Sequence, residues 1–209
     1  MKRFSFFRER GFLTSRQALV LLLLIFLAPT FVIWVMHRTG GEWWPESTTN
    51  RGVLVHPARP LELSQDIVMG DRALRDYLQG KWTLVYIGDA ACDNICRENL
   101  YKTRQIRAAQ NENVRRVQRL YIVSSGSFSG ETSDFLASEH PKLDTVILTP
   151  PQLEQLTGFF TIDETPVPQA GRVYFVDPLG NLMMYYQPDA DPSGMLRDLQ
   201  KLLKYSRIG

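Results

Sequence analysis

The sequence is poor in the residues that most enzymes use for metal and nucleophilic chemistry. Its 209 residues include two cysteines and three histidines. Two cysteines and so few histidines leave no quartet of zinc ligands, and neither a Ser-His-Asp set nor a glycine-rich phosphate loop is evident. Catalysis by histidine has little material here. Any chemistry therefore falls to the two cysteines, Cys92 and Cys96.

A strong excess of one charge is also missing. The formal net charge of the whole chain is +2, but the first 16 residues hold five basic residues and one acid. The rest of the chain is therefore weakly acidic. No basic stretch outside the N-terminus indicates a nucleic-acid surface, and we expect no nucleic-acid partner.

Long apolar runs are absent, with one exception. Apolar residues make up 44% of the chain, too few for a protein with many membrane spans. The run from Ala18 to Met36 contains no charged residue and, as a helix, would reach about 28 Å, nearly the thickness of a hydrocarbon core. It predicts one transmembrane helix over residues 18–37. A cleaved signal peptide is the alternative, but the core is long and no small-residue cleavage pattern follows it.

The flanks of this run predict its orientation. Lysine and arginine dominate before it, and basic flanks stay in the cytoplasm. Trp34, Trp43 and Trp44 cluster near the far end, where indole rings favour the headgroup layer. We therefore expect a single-pass protein of the inner (plasma) membrane, with a cytoplasmic N-terminus and a periplasmic domain.

The rest of the chain divides into a linker and one domain. Residues 1–17 form the predicted cytoplasmic basic tail, residues 38–60 a linker rich in glycine and proline, and residues 61–209 the folded domain. Helical and strand patterns alternate through the domain and then end in a hairpin and a helix. This order predicts an α/β fold with a mixed sheet. The predicted strands are an edge strand at 53–55 and strands at 82–87, 120–123, 145–148, 173–176 and 182–186, and the main predicted helices cover 94–110, 131–139, 151–158 and a segment after residue 194.

The two cysteines follow the first central strand, where the next helix begins. Asp93 or Asn94 is a suitable N-cap, and the positive end of the helix would favour a thiolate at Cys96. If the helix includes both positions, the four-residue step places them on one face. In an oxidising compartment the pair can close as a disulfide. A stabilising clip of about 2 kcal/mol is the structural alternative to redox or metal chemistry.

At these residues the chain resembles a known family. Residues 79–88 (QGKWTLVYIG), followed by residues 92–96 (CDNIC), are similar to the Sco/SenC family, and the similarity extends over most of residues 61–205, including residues 174–180 (YFVDPLG). Members of that family are thioredoxin-like, membrane-anchored proteins that help to build the copper centre of cytochrome c oxidase. The resemblance implies a thioredoxin-like fold, a redox pair at Cys92 and Cys96, and binding of Cu(I) by the same two sulfurs.

The chain departs from the family pattern in three places. Asp93 and Arg97 follow the cysteines where the family has prolines, and the serine-rich residues 124–127 replace an acidic Asp-Pro turn. The position of the family's copper-ligand histidine falls near Gln169 or Ala170 in this sequence, and neither residue is a histidine. Two thiolates without imidazole suit Cu(I) better than Cu(II).

Other candidate site residues are weaker. We expect His140 to end a helix away from the cysteines and His56 to be solvated. Met183 and Met184 are possible thioether ligands, but neighbours on a strand face opposite sides and at least one should be core. Pro168 is a candidate for the cis-proline of thioredoxin folds.

Three functions fit these features. The first is an accessory protein for cytochrome c oxidase assembly, which uses Cys92 and Cys96 for thiol–disulfide chemistry, Cu(I) handling or both, and whose partners are an oxidase subunit or other copper-site assembly factors. The second is a general periplasmic thiol–disulfide oxidoreductase or thiol peroxidase. The third is a non-catalytic binding module that keeps the cysteines as a clip.

Overall fold

A computed structural model describes residues 14–38 and 49–206, apart from the side chains of residues 15, 36 and 37. The chain forms two compact units, one ending at Thr48 and the other beginning at Thr49. The predicted tail up to residue 13, and Trp43 and Trp44 of the predicted linker, lie outside the described residues.

The first unit contains helix α1, Ser15–Arg38. Its segment Arg16–Val35 is long and apolar enough to cross a membrane. The helix agrees with the span predicted over residues 18–37. Because its leucine, isoleucine and phenylalanine side chains are exposed along its length, the helix has an apolar surface all round, as a lipid-facing helix requires.

The second unit is built on a six-stranded sheet. Its strands lie in the order β1-β8-β7-β4-β5-β6. The central strand β4 pairs in parallel with β5 and antiparallel with β7, so the predicted mixed sheet is confirmed. The strands are β1 Val53–Pro60, β4 Trp82–Gly88, β5 Val117–Val123, β6 Asp144–Ile147, β7 Val173–Val176 and β8 Asn181–Tyr186, with a separate two-strand ribbon of β2 Val68–Met69 and β3 Arg72–Ala73.

Helices cover both faces of this sheet. They are α2 Leu74–Tyr77, α3 Asn94–Ala108, α4 Gly130–Glu139, α5 Pro150–Phe160 and α6 Pro192–Tyr205. Every residue of β4 is buried, because alternate side chains enter different cores: Val85 and Ile87 join the cluster under α2 and α5, and Leu84 and Tyr86 join the cluster under α3 and α6. This two-sided burial explains why β4 reads as a continuous apolar run.

The folded domain begins earlier in the sequence than predicted, because it includes strand β1. Val53 and Leu54 pair with Tyr185 and Met184 of β8, so β1 is an edge strand of the sheet, as predicted, but it is longer than residues 53–55. It occupies the second part of the predicted linker, residues 38–60. The folded unit accordingly begins at Thr49 and not at residue 61. The physical reason is pairing with β8, which a pattern of local residues cannot reveal.

Candidate active site

Cys92 and Cys96 form a disulfide beside the C-terminal end of the central strand β4. Their Cα atoms lie 5.0 Å apart, within the range of about 4.4–6.8 Å that a disulfide requires. Both residues are buried, each about 2% exposed. The chain has no further cysteine, so the pair is a self-contained thiol–disulfide couple.

The backbone at Cys92 brings the two sulfurs together. Helix α3 begins at Asn94, so Cys92 precedes the helix and the four-residue step along one helical face does not apply. Cys92 instead has a φ of +46°, in the left-handed region that costs an L-residue roughly 1–2 kcal/mol. Its N–H donates to the carbonyl of Asp89 at 3.1 Å. Strain of this kind concentrates at functional sites in proteins.

Asp93 is the N-cap of α3. The sequence predicts either Asp93 or Asn94 for this position. The carboxylate of Asp93 accepts the N–H of Cys96 at 2.9 Å. Cys96 therefore lies in the first turn of the helix, where the unpaired N–H groups favour negative charge. The predicted placement of Cys96 at the positive end of a helix is correct.

Arg97 occupies a position where the family has proline, and it braces the loop. Its Nε donates to the carbonyl of Cys92 at 3.3 Å, and its Nη2 lies 2.9 Å from Glu131 of α4. Its guanidinium group also stacks 4.6 Å over the ring of Phe135. Arg97 thus links the strained cysteine to helix α4.

Asp89 supplies a carboxylate to the serine-rich turn that follows β5. The hydroxyls of Ser124 and Ser125 both donate to its Oδ1 at 2.8 Å. The N–H of Ala90 donates to the carbonyl of Ser125 at 3.1 Å, which ties the same two loops together. An acidic group is therefore present at this turn, although it comes from the cysteine loop.

A cleft of about 260 Å³ opens beside the disulfide, and Pro168 and Gln169 line its far wall. Gln169, one of the two positions predicted to replace the family histidine, lines the cleft, whereas Ala170 is buried. Asn99 of α3 holds this wall by donating to the carbonyl of Gly171 at 2.9 Å. The cleft is large enough to admit a small group next to the sulfurs.

The expectation of a cis-proline at Pro168 is wrong. In the described part of the chain the one cis peptide bond is His56–Pro57. Pro168 instead lies in a short 3₁₀ turn over Val167–Gln169, whose backbone uses ordinary trans geometry.

Two carboxylates set the electrostatics of the cleft. Burial is the main reason that the pKa of Tyr86 lies above its ordinary value, and the nearby Asp93 and Asp89 raise it further. Because its pKa is raised, the hydroxyl of Tyr86 keeps its proton. Tyr86 is one of the residues that line the cleft. Of the described residues that line the cleft, Asp89 and Asp93 are acidic and none is a lysine or an arginine.

The remaining candidate residues lie outside this cleft. His140 is the C-cap of α4, as predicted, but it is buried: its Nδ1 lies 3.4 Å from Nη1 of Arg119. His56 is exposed on β1, also as predicted. Met184 is buried in the core and Met183 is half-buried, as expected for neighbours on a strand. In residues 14–38 and 49–206, no three His, Cys, Asp or Glu residues cluster as a metal site would require.

His140 is expected to make stability depend on pH. Burial, with help from Arg119 and Arg104, lowers its pKa from 6.5 to about 4. The unfolded chain binds the proton first, so the stabilising contribution is complete above about pH 6.5 and is lost as the pH falls towards 4. Urea unfolding should show a loss of ~2 kcal/mol between about pH 7 and about pH 5. His140→Gln should flatten this slope, and an equal slope in the wild type and in His140→Gln would contradict the role of His140.

The fold and the cysteine pair together define a thioredoxin-like protein: a mixed sheet with a disulfide between its central strand and the following helix. Residues 82–206 match the family described as transmembrane-like, thioredoxin-like, C-terminal domain. The match spans more than half of the chain, and the protein therefore belongs to that family.

Solved structures share this fold. Apo Sco1 from Thermus thermophilus is 17% identical with a TM-score of 0.59, and the alignment covers 76% of this chain and 99% of that one. Copper-bound ScoI from Arabidopsis thaliana is 19% identical with a TM-score of 0.53, over 63% and 89% of the two chains. BsSco, a member of the Sco family of cytochrome c oxidase assembly proteins, is 16% identical with a TM-score of 0.51, over 74% and 99%. The resemblance to the Sco/SenC family is therefore confirmed in the fold. No curated protein matches the sequence.

Proposed function

We propose that this protein is a membrane-anchored thiol–disulfide protein that serves the assembly of cytochrome c oxidase through Cys92 and Cys96. The observation that carries the proposal is the disulfide at the edge of an open cleft, between the central strand β4 and helix α3. The likeness in fold to Sco proteins, among them BsSco, supplies the link to the oxidase.

The disulfide supports a reversible two-electron exchange. A thiolate of a partner dithiol attacks one sulfur, the S–S bond breaks, and its electron pair passes to the other sulfur as a thiolate. The partner's second thiolate then attacks its own sulfur in the mixed disulfide and releases the first cysteine. The partner leaves as a disulfide and the pair remains as a dithiol; the reverse sequence reduces a partner disulfide.

Cu(I) handling is the second candidate, and the donor atoms favour it over Cu(II). Copper-bound Arabidopsis ScoI shares the fold, and the reduced pair of this chain would offer two soft sulfur ligands. Gln169 lines the cleft in place of imidazole. Copper would be cargo in this reading, and the disulfide must first be reduced because the thiolate is the ligand.

For the location, we propose that α1 stays as an uncleaved anchor in the inner membrane and holds the domain in the periplasm. The basic bias of the first 16 residues supports an N-terminus in the cytoplasm. An oxidising compartment is also where a disulfide persists.

One labelling experiment tests both proposals. Cells with a permeabilised outer membrane are treated with a large, membrane-impermeant maleimide, with and without prior reduction by dithiothreitol. The full-length protein should gain two tags after reduction and none before it. Because the chain has two cysteines, a Cys92→Ser, Cys96→Ser variant is a complete blank.

Two results would contradict the proposals separately. Tagging that requires lysis of the inner membrane would overturn the periplasmic location. Tagging that requires a denaturant as well as the reductant would mean that a partner cannot reach the sulfurs in the native protein, and would leave the cysteines as a structural clip. A tagged form that runs without the mass of α1 would show cleavage of the anchor.

A further inference from the structure

Tyr121 of β5 places a hydroxyl beside one of the two sulfurs. Its side chain is fully buried, and its Oη lies 3.6 Å from Sγ of Cys96. The same hydroxyl donates a hydrogen bond to the carbonyl of Asp89. Strand register fixes this position, because Tyr121 pairs with Tyr86 on the neighbouring strand β4 and shares its face of the sheet.

The proton of this hydroxyl has two acceptors within reach. A disulfide sulfur is a weak acceptor. In the oxidised protein the hydroxyl therefore donates its hydrogen bond to the backbone carbonyl of Asp89. A thiolate is a far stronger acceptor, because a hydrogen bond to a charged group is shorter and roughly twice as strong. The carbonyl of Asp89 also accepts the N–H of Cys92 at 3.1 Å. It therefore stays hydrogen-bonded when the tyrosine hydroxyl turns away.

We propose that Tyr121 is a positioning residue that makes Cys96 the leaving sulfur and Cys92 the sulfur that a partner attacks. This inference rests on the thiol–disulfide function proposed above. When a partner thiolate attacks Sγ of Cys92, the electron pair of the broken S–S bond passes to Sγ of Cys96, and the hydroxyl of Tyr121 turns from Asp89 to this new thiolate. The mixed disulfide then forms on Cys92.

The surroundings of Tyr121 suit this role. Burial is the first cause that holds the pKa of its hydroxyl above the ordinary value, and Tyr86 and Asp89 add to the effect. The hydroxyl therefore stays a donor. The N-cap position of Asp93 brings Cys96 into the first turn of α3, so the helix end favours the same thiolate.

The test compares Tyr121→Phe with Tyr174→Phe in the full-length protein in detergent. Tyr174 is an equally buried tyrosine, but it lies in the core on the other face of the sheet. Reduction by dithiothreitol should slow by roughly threefold to tenfold in Tyr121→Phe, because a poorer leaving thiolate departs more slowly. The reduction potential should become more negative, by about 30 mV for a tenfold change in the equilibrium constant. Tyr174→Phe should leave both unchanged.

A second measurement identifies which sulfur is attacked. The wild-type protein is treated briefly with reduced glutathione, and the adduct is mapped by mass spectrometry. Glutathione should be found on Cys92, and in Tyr121→Phe it should spread over both cysteines. Adducts on Cys96 in the wild type, or an unchanged rate and distribution in Tyr121→Phe, would overturn the role of Tyr121 and leave the proposed function standing. A wild-type disulfide that no reductant opens would overturn both.

Discussion

Cys92→Ser is expected to reduce thiol–disulfide exchange by the full-length protein to background. The chain contains two cysteines, so no other thiol can complete the two-electron cycle when one is removed. The assay follows oxidation of a synthetic dithiol peptide by the detergent-solubilised protein, with mass spectrometry as the readout. The wild-type protein should return one disulfide peptide per chain, and the variant none.

Cys96→Ser is the matched variant, and it should fail in a different way. It cannot complete the cycle either, but it keeps Cys92 at the cleft. Given the disulfide form of the peptide, the Cys92 thiolate should attack one peptide sulfur, release the other as a thiolate and hold the peptide as a mixed disulfide. Removal of both cysteines should cost only ~2 kcal/mol of stability or less, because the closed loop is short. Exchange that persists in Cys92→Ser would contradict the proposed site, and a double variant that does not fold would make the disulfide structural.

Copper binding should depend on the same residue. The reduced protein is titrated with Cu(I) in the presence of a competing chelator, and separately with Cu(II). We expect binding of Cu(I), loss of it in Cys92→Ser, and weak binding of Cu(II), since the cleft holds Gln169 where a nitrogen ligand would be needed. Tight Cu(II) binding with a strong thiolate absorption band would mean that His56, His140 or Met183 reaches the site after a rearrangement.

The sequence predicts the framework of the fold well because its strongest patterns come from burial. Apart from Thr83, the run from Trp82 to Ile87 is apolar or aromatic because β4 is buried on both faces. The spacing of Met195, Leu199 and Leu203 predicts α6 because all three residues enter one core. The sequence does not predict the ribbon of β2 and β3, because two-residue strands are too short to show the alternation of apolar and polar residues.

The part of the site that lies within one short segment of the chain can be predicted from the sequence. The cysteine pair and its N-cap Asp93 lie within five consecutive residues, so spacing alone indicates them. Tyr121 reaches Sγ of Cys96 through strand register, and its hydroxyl also bonds to the carbonyl of Asp89. A tyrosine inside an apolar strand has the same pattern as any core tyrosine, and the sequence holds no signal that would single it out. The left-handed backbone at Cys92 is likewise a tertiary feature, because nothing in a cysteine favours it.

A loss of stability larger than that for the disulfide is expected from Asp198→Ala. Asp198 of α6 is about 2% exposed, and one of its oxygens, Oδ2, accepts three hydrogen bonds. The donors are the N–H of Arg51 at 2.6 Å, the N–H of Gly52 at 3.0 Å and the hydroxyl of Tyr186 at 2.9 Å. These contacts fix the start of edge strand β1 to α6 and β8.

The alanine variant would leave the three hydrogen-bond donors to Asp198 without their acceptor in a largely buried region. Each hydrogen bond to a charged group contributes about 1.5–3 kcal/mol and the three share one atom, so we expect a total loss of about 3–5 kcal/mol in the free energy of unfolding. Urea unfolding of the full-length protein, followed by far-ultraviolet circular dichroism, measures it. Asp198→Asn keeps an acceptor oxygen and should lose about half as much.

Tyr186→Phe separates the side-chain partner from the two backbone partners. It removes one donor and leaves the carboxylate bonded to Arg51 and Gly52, so it should cost about 1–2 kcal/mol by itself. In the Asp198→Ala background the same change should cost much less, because the hydroxyl has already lost its acceptor; the difference is the coupling between the two residues. Equal costs in both backgrounds, or a loss below about 1 kcal/mol for Asp198→Ala, would mean that water replaces the carboxylate and that β1 is held by its pairing with β8 alone.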